Sequence, residues 1–441
     1  MPLKITKYNF CKINITYIYI YIYIYMNILI TSCSKKVLLI KSFKTHLNNM
    51  GGLLFATDIS INSPALYFAD DYFLCPRFDE PLFIDFMIKN CIKHKIKLII
   101  PTSCRELRLF SEHKKEFEEN GCKVMISSVE TIDICQNKDL FIKFCINNDI
   151  PIPCTYANFD EITNYPVFSK PITGSASQGL KIINNKDELQ NIDFKNNIIQ
   201  EFIDWKEYTI DYLSDFDGKY INCIPRERIH VINGESCVSQ VFNNEIIKDH
   251  CKIMGNKLKL IGHNTIQCFF NNQYIKFIEI NPRFGGAGNL GINAGLESPK
   301  VIIDLLYKNI PSIPKTKDKL LMLRYSSDIF GYMIENQFVP KNLTEKNKIY
   351  CIDIDGTLCT EDCEYKDAQP IQKVINKINK LYEDNKIILY TARGYTSKKE
   401  WRGLTEEQLE KWGVKYHTLI LQKPFADYYI DNKAIDILDW V

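Results

Sequence analysis

Phe277-Ile278-Glu279-Ile280-Asn281-Pro282-Arg283 reads as a strand in which polar residues alternate with apolar ones before a proline ends it. Side chains two apart in a strand share a face, so Glu279 and Asn281 point the same way. Gln267, in the apolar segment just before it, supplies a third oxygen donor from a neighbouring strand. Three oxygen donors with one charge among them suit a Mg²⁺ held mostly by the phosphates of a nucleotide. Arg283 follows at once, placed to neutralise an acyl phosphate. The loop Phe284-Gly285-Gly286-Ala287-Gly288-Asn289 adds backbone N–H groups.

Further upstream, Tyr165-Pro-Val-Phe-Ser-Lys170-Pro171 is a strand ending in a lysine, and it runs into the small-residue loop Thr173-Gly174-Ser175-Ala176-Ser177-Gln178-Gly179. Small side chains let backbone N–H groups close over phosphate oxygens while the lysine supplies a point charge. Many surface loops share that composition, so the loop alone decides little. Ile199-Gln-Glu201-Phe-Ile203-Asp-Trp205-Lys-Glu207-Tyr is a strand whose edge offers backbone groups to an adenine, with Glu207 placed for ribose hydroxyls. Taken singly, it reads equally well as a surface strand with charged tips.

In this order the elements resemble the ATP-grasp superfamily over roughly residues 26–330, with carbamoyl-phosphate-synthetase-like and amino-acid-ligase-like members the nearest in pattern. The resemblance implies ATP and Mg²⁺ (or Mn²⁺) as cofactors. Lys138 and Lys170 would bind ATP phosphates together with the loop holding Ser175, Ser177 and Gly179. Glu201 to Ile203 would meet the adenine, Glu207 the ribose, and Gln267, Glu279 and Asn281 the metal. Arg226 and Arg228, in Ile224-Pro-Arg-Glu-Arg, would face the substrate or the γ-phosphate; as an isolated pair they read as salt-bridged surface residues. His230, His250 and His263 carry no partner pattern and read as structural. Two departures stand out: Gln267 is neutral where many members carry a carboxylate, and the turn Ser32-Cys-Ser-Lys-Lys36 lacks the expected glycine.

Ile349-Tyr-Cys-Ile-Asp353-Ile-Asp355-Gly-Thr-Leu358 opens a second chemistry. A strand-end aspartate attacks phosphorus once a metal screens the repulsion between two anions, and a second aspartate two residues on serves as acid and base. Thr391, closing the strand Ile387-Ile-Leu-Tyr-Thr, offers a hydroxyl to a phosphate oxygen. Lys423 offers a cation, and Asp431, after Tyr428-Tyr-Ile, another metal-binding acid. Each is bland alone. Together, at successive strand ends, they resemble the haloacid-dehalogenase (HAD) phosphohydrolases over roughly residues 346–441, with small phosphatases of capsular polysaccharide biosynthesis the nearest in pattern. The resemblance makes Asp353 the nucleophile, Asp355 the acid/base, and Asp353, Asp355 and Asp431 the metal set; Arg393 is expected to be peripheral. Asn432 departs from the usual second aspartate. Thr357 to Ile387 leaves no room for a large cap.

The expected fold class is therefore α/β and α+β multidomain: an extension at 1–25, a Rossmann-like pre-ATP-grasp domain at 26–131, an ATP-grasp fold at 132–330, a linker at 331–348 and a capless HAD-like domain at 349–441. In the front domain, strands are expected near Ile28–Thr31, 97–101 and 123–127, with helices at Val37–Asn48 and Glu106–Asn120; a dinucleotide site is excluded because the first turn lacks GxGxxG. The alternating Tyr-Ile run Tyr17–Tyr25 is too short to span a bilayer as a helix, and Met26 opens what reads as a domain start. A net charge of +2 without long single-sign runs asks for neither nucleic acid nor an anionic membrane. Sixteen scattered cysteines read as reduced thiols of a cytoplasmic protein. The expected partners are a small carboxylate and an amine, or a phosphoester, with room for a homodimer. The expected activity is ADP-forming carbon–nitrogen ligation joined to phosphomonoester hydrolysis. A carbamoyl-phosphate-type or kinase-like reaction, and a module kept only as a nucleotide-binding relic, are the rivals.

Overall fold

A computed structural model describes residues 26–172, 179–334, 337–340, 348–361, 363–421, 423, 424, 426, 435 and 440. The 1–25 extension, Ser175, Ser177, Asp431 and Asn432 lie outside the described residues.

The front domain is a five-stranded parallel sheet of β1 (Asn27–Ile30), β2 (Leu54–Asp58), β3 (Asp71–Leu74), β4 (Ile96–Ile100) and β5 (Lys123–Val124), in the order β3-β2-β1-β4-β5. Ile28, Leu29 and Ile30 are wholly buried, as an apolar run covered on both faces by helices should be. The connecting helices are α1 (Val37–Asn49), α2 (Phe83–Lys93), α3 (Cys104–Glu112) and α4 (Lys114–Glu119). The single helix expected over 106–120 is thus two, divided at His113, and α3 begins in a capping box made by Ser103 and Glu106. β2 and β3 add two strands to the three expected. Their signals are weak because β2 is a short run containing Ala, Thr and Asp, and β3 is a half-exposed edge.

Helices α5 (Val129–Gln136) and α6 (Lys138–Asn147) lead into two antiparallel sheets. The smaller joins β6 (Thr155–Tyr156), β7 (Val167–Pro171), β8 (Lys181–Ile183) and β9 (Asn197–Glu201) in the order β6-β9-β7-β8, with α7 (Lys186–Leu189) after β8. The larger runs β14 (Ile275–Asn281), β13 (His263–Phe270), β10 (Lys206–Ser214), β11 (Tyr220–Ile232), β12 (Glu235–Val241), β15 (Leu321–Leu323). Turns at Gly218 (φ +81°) and Asn272 (φ +74°) close two of its hairpins. One face, with Tyr208, Ile210, Tyr212 and Ile266, packs on α8 (Glu245–Leu258). The other face carries Glu207, Thr209, Arg226, Gln267 and Glu279 and, further along, buries Leu213 and Ile224. The short turn α9 (Asn289–Gly291) and α10 (Ser298–Leu306) follow β14.

β16 (Gly331–Ile334) and β17 (Gln337–Pro340) pair antiparallel, where only a linker was expected. The C-terminal module then sets β18 (Ile349–Ile352), β19 (Lys386–Thr391) and β20 (Thr418–Leu421) in parallel, with α11 (Gln372–Tyr382) and α12 (Arg402–Lys411) between them. It has its own core around Ile354, Ile375, Ile378 and Leu389. No helix among the described residues is long and apolar enough to cross a membrane.

Candidate active site

The register of the large sheet assembles the polar face. Glu279 lies opposite Gln267, Gln267 opposite Thr209, and Thr209 opposite Arg226, so four strands contribute one row. Asn281 stands one step along, opposite Thr265. Phe269, half-exposed, continues the face two residues from Gln267 and lies opposite Glu207. Phe269 carries no polar atom, so no search for donors and acceptors singles it out.

Two lysines approach this row from other elements. Lys138 is the first residue of α6, whose N-terminus Asn137 caps by accepting from the N–H groups of Asp139 and Leu140. Lys170, on β7, is 5% exposed. Burial lowers its pKa to about 8; Glu279 opposes the shift and Lys138 adds to it. Burial likewise lowers that of Lys138, again against Glu279. Both cations thus feel the charge of one carboxylate.

Glu279 Oε1 accepts from Asn281 Nδ2 at 3.0 Å, while Arg283 Nη2 donates to Asn281 Oδ1 at 3.4 Å. In this arrangement Asn281 presents nitrogen to Glu279, so a metal shared by the two requires the amide to turn over. With that turn, Gln267, Glu279 and Asn281 offer oxygens on one face, and the set fits Mg²⁺. Arg283 Nε donates to Cys104 Sγ at 2.9 Å and Nη1 to the Phe284 carbonyl at 2.9 Å. Cys104 opens α3, so the front domain walls this side of the site. The contact crosses domains and is invisible in sequence.

Some expected residues are engaged elsewhere. Arg226 is 2% exposed and its Nε donates to Asp211 at 2.9 Å; Asp211 is wholly buried. Burial alone would raise the Asp211 pKa, but Arg226 and His263 hold it below the usual carboxylate value. Arg226 therefore does not face a substrate in this structure; it neutralises a buried acid. His263, which carries no partner pattern in the sequence and reads as structural, bonds Ser298 through Nδ1 at 2.8 Å and stacks on Phe284 with ring centres 4.1 Å apart. Arg228 does reach the open side, but its Nε lies 2.9 Å from Glu207, so the proposed ribose and phosphate contacts neutralise each other here. Burial pushes the Glu207 pKa up and Arg228 opposes it. Glu201 spends its backbone N–H on the Cys154 carbonyl, and its carboxylate on the Cys154 N–H and Lys276. The edge open to a base begins after it, towards Ile203. Gly179 closes the small-residue loop at φ +72°, where a Cβ would come within 2.8 Å of Pro171.

Residues 135–287 match the family model of the ATP-grasp domain. The chain carries an ATP-grasp domain. Residues 28–125 match the PylC-like N-terminal domain, so the two models together take in the front sheet and the polar face. Dependence on ATP and Mg²⁺ is typical of this fold. The chain is 26% identical over 284 residues to a formate-dependent phosphoribosylglycinamide formyltransferase of Prochlorococcus marinus, spanning 56% of this chain and 70% of that protein. Among solved structures, N5-carboxyaminoimidazole ribonucleotide synthetase of Thermotoga maritima superposes with a TM-score of 0.52 at 21% identity, covering 67% of this chain and 79% of that one. Biotin carboxylase of Campylobacter jejuni superposes with 0.53 at 14% identity, covering 66% and 73%. At these identities the superpositions speak for the fold.

Both family models end before the C-terminal module, whose geometry stands by itself. Asp353, just past β18, pairs with Lys423 and accepts from the Ile354 N–H at 2.8 Å. Asp355 receives Arg393 Nη2 at 2.7 Å, Arg393 Nε at 3.0 Å and the Thr391 hydroxyl at 3.1 Å. Arg393 is 1% exposed and is held in turn by Gln408 at 2.7 Å and Thr405 at 3.3 Å. It is not peripheral, as expected from sequence, but the fixed partner of Asp355. Gly356 (φ +73°) turns the chain so that both carboxylates sit beyond the strand. Among the described residues no group of three or more His, Cys, Asp or Glu is placed to hold a metal.

Proposed function

We propose that the chain is an ATP- and Mg²⁺-dependent ligase that activates a carboxylate as an acyl phosphate for attack by an amine, releasing ADP and phosphate. The observation that carries this reading is the convergence of Lys138 and Lys170 on the Glu279 row, with Arg283 beside it. In the proposed roles the two lysines bind phosphate oxygens. Phe269 offers the adenine an apolar surface beside Ile203, and Glu207 exchanges Arg228 for ribose hydroxyls. The freed Arg228 and Arg283 meet the charge that develops on the transferred phosphoryl group. The metal, held by Gln267, Glu279 and Asn281, would neutralise phosphate charge. Relatives named for joining formyl or carboxy groups to amines are compatible with a small carboxylate as substrate. The fifteen described cysteines, all free thiols, support a reducing, cytoplasmic setting. Incubating the full chain with Mg-ATP and a panel of carboxylates and amines tests the reading. ADP with phosphate is expected, and AMP with pyrophosphate would overturn it.

A second reading concerns the C-terminal module, carried by the placement of Asp353 with Lys423 and Asp355 with Thr391 and Arg393 at the carboxyl ends of adjacent parallel strands. It makes the module a phosphomonoesterase in which Asp353 attacks phosphorus and Asp355 protonates the leaving oxygen. A full-chain assay on an aryl phosphate, with and without Mg²⁺, tests it.

A further inference from the structure

Asp355 is the proposed acid of the C-terminal module, so the leaving group of a phosphoester would lie on its side of the site. Aromatic rings gather there. Arg393, which grips Asp355, has its guanidinium carbon 4.8 Å from the centre of the Tyr365 ring. Trp401 meets that ring edge-on, with centres 5.1 Å apart and planes at 82°. Burial raises the Tyr365 pKa and the charge of Asp355 adds to the rise, so phenol and carboxylate share one environment.

The pair is held in place without belonging to the core of the module. Tyr350, Tyr382, Trp412 and Tyr416 pack on that core, whereas Tyr365 and Trp401 stand outside it and are half-exposed. Gln408 ties the first ring to the site: its Oε1 accepts from Arg393 Nη1 at 2.7 Å, and its Nε2 donates to the Tyr365 carbonyl at 2.6 Å. The second is fixed from β19. The chain after Arg393 folds back at Gly394 (φ +84°), where a Cβ would lie 2.6 Å from the Lys399 carbonyl oxygen and 3.4 Å from the Trp401 indole. A single exposed ring is ordinary. Two rings fixed at right angles, on the guanidinium that holds the candidate acid, make a corner beside the chemistry.

We propose, on the phosphomonoesterase reading of this module, that Tyr365 and Trp401 form a specificity wall beside Asp355 that selects phosphomonoesters whose leaving group carries a ring. A flat aromatic face or the C–H face of a cyclic sugar stacks on the Trp401 indole, which offers area and shape but neither charge nor acceptor. The two rings divide the work. Tyr365 faces Arg393 and is a positioning residue, steadying the cation that holds Asp355. Trp401 touches the leaving group and sets the preference.

Hydrolysis by the full chain with Mg²⁺ is measured on phenyl phosphate, glucose 1-phosphate and glycerol 1-phosphate, the last without a ring. The wild type is expected to show a lower KM for at least one ring ester than for glycerol 1-phosphate, and which one tells an aryl from a sugar leaving group. Trp401→Ala is expected to raise that KM about three- to tenfold and to shrink the preference by the same factor. Trp401→Phe, which keeps a ring face, should retain most of it. Tyr365→Leu, acting through Arg393, is expected to lower kcat on all three esters alike. A wild type with one KM for all three, or Trp401→Ala with the wild-type preference, overturns the wall and leaves the phosphomonoesterase reading standing. Asp353→Asn as fast as wild type on phenyl phosphate, or a wild type inert on all three esters, overturns that reading and the wall with it.

Discussion

In the roles proposed for them, the two candidate sites would prepare for a phosphate in opposite ways. On the ATP-grasp face, two cations, Lys138 and Lys170, lie within the field of the single acid Glu279. In the C-terminal module the two described candidate aspartates are already matched, Asp353 by Lys423 and Asp355 by Arg393. The first arrangement attracts a polyanion that brings its own metal. The second is balanced, and an incoming phosphate must compete with Asp353 for Lys423. Excess charge suits binding of a nucleotide; a matched pair suits holding a nucleophile in line until the substrate takes its counter-ion.

The largest effect should come from the matched site. Asp353→Asn removes the attacking oxygen and is expected to leave no measurable aryl-phosphate hydrolysis, with thermal stability nearly unchanged. A rate equal to wild type would end the nucleophile assignment. Arg393→Lys keeps the charge but loses the two-pronged grip on Asp355, and is expected to cost about 10²-fold in the same assay. If instead it behaves as a surface substitution, Asp355 does not depend on its partner, and the contrast between the sites weakens.

Glu279→Gln probes the excess-charge site. It removes the one acid of the row and the main anion facing Lys170. ADP-forming turnover should fall about 10²–10³-fold, while circular dichroism stays the same. Undiminished turnover would leave the ATP-grasp fold in place and remove only the metal assignment.

Two arginines two residues apart on β11 sharpen the comparison further. Arg226→Met strands Asp211, which is fully buried, and should cost about 3–5 kcal/mol of stability. Arg228→Met leaves a partly exposed Glu207 and should alter stability by under about 1 kcal/mol while slowing turnover. Denaturant titration beside the ADP assay separates the pair, and equal stability losses would contradict the assignment of one arginine to structure and the other to the site.

That pair also marks where legibility in the sequence ends. Glu279, Asn281 and Gln267 were readable because the strand period alone puts the first two on one face and a short hairpin brings the third opposite. The cation Lys170 was readable from its place at a strand end before a small-residue loop. The division of labour between Arg226 and Arg228 was not, since both belong to the same strand face and the partner Asp211 is chosen by a hairpin register 15 residues away. Arg393 was misread for the same reason: its acid lies 38 residues back, in the turn that follows another strand. Cys104 reaches Arg283 only because the front domain closes on the sheet, a tertiary contact without local signature. The antiparallel pair β16 and β17 hid inside a polar, proline-containing stretch that reads as a connection.

The smallest expected effect concerns protons. Lys170 is held at about 8 by burial, and a phosphate is bound by its charged form. Below that pH the free site already carries the proton, so ATP affinity should be flat. Above it the lysine is neutral in the free protein and must take up a proton to pair with phosphate, so affinity should fall by up to about tenfold per pH unit. Glu279 works against this fall, because a nearby carboxylate favours the ammonium form. Glu279→Gln should therefore move the onset of the fall to lower pH, although it removes a negative charge from an anion-binding site. Lys170→Arg, which stays charged, should abolish the fall and leave a flat profile to pH 10. Titration of the full chain with a fluorescent ATP analogue and Mg²⁺ from pH 6.5 to 10 would measure all three. A wild-type profile that stays flat past pH 9 would show that no phosphate ligand titrates near pH 8 in the free protein.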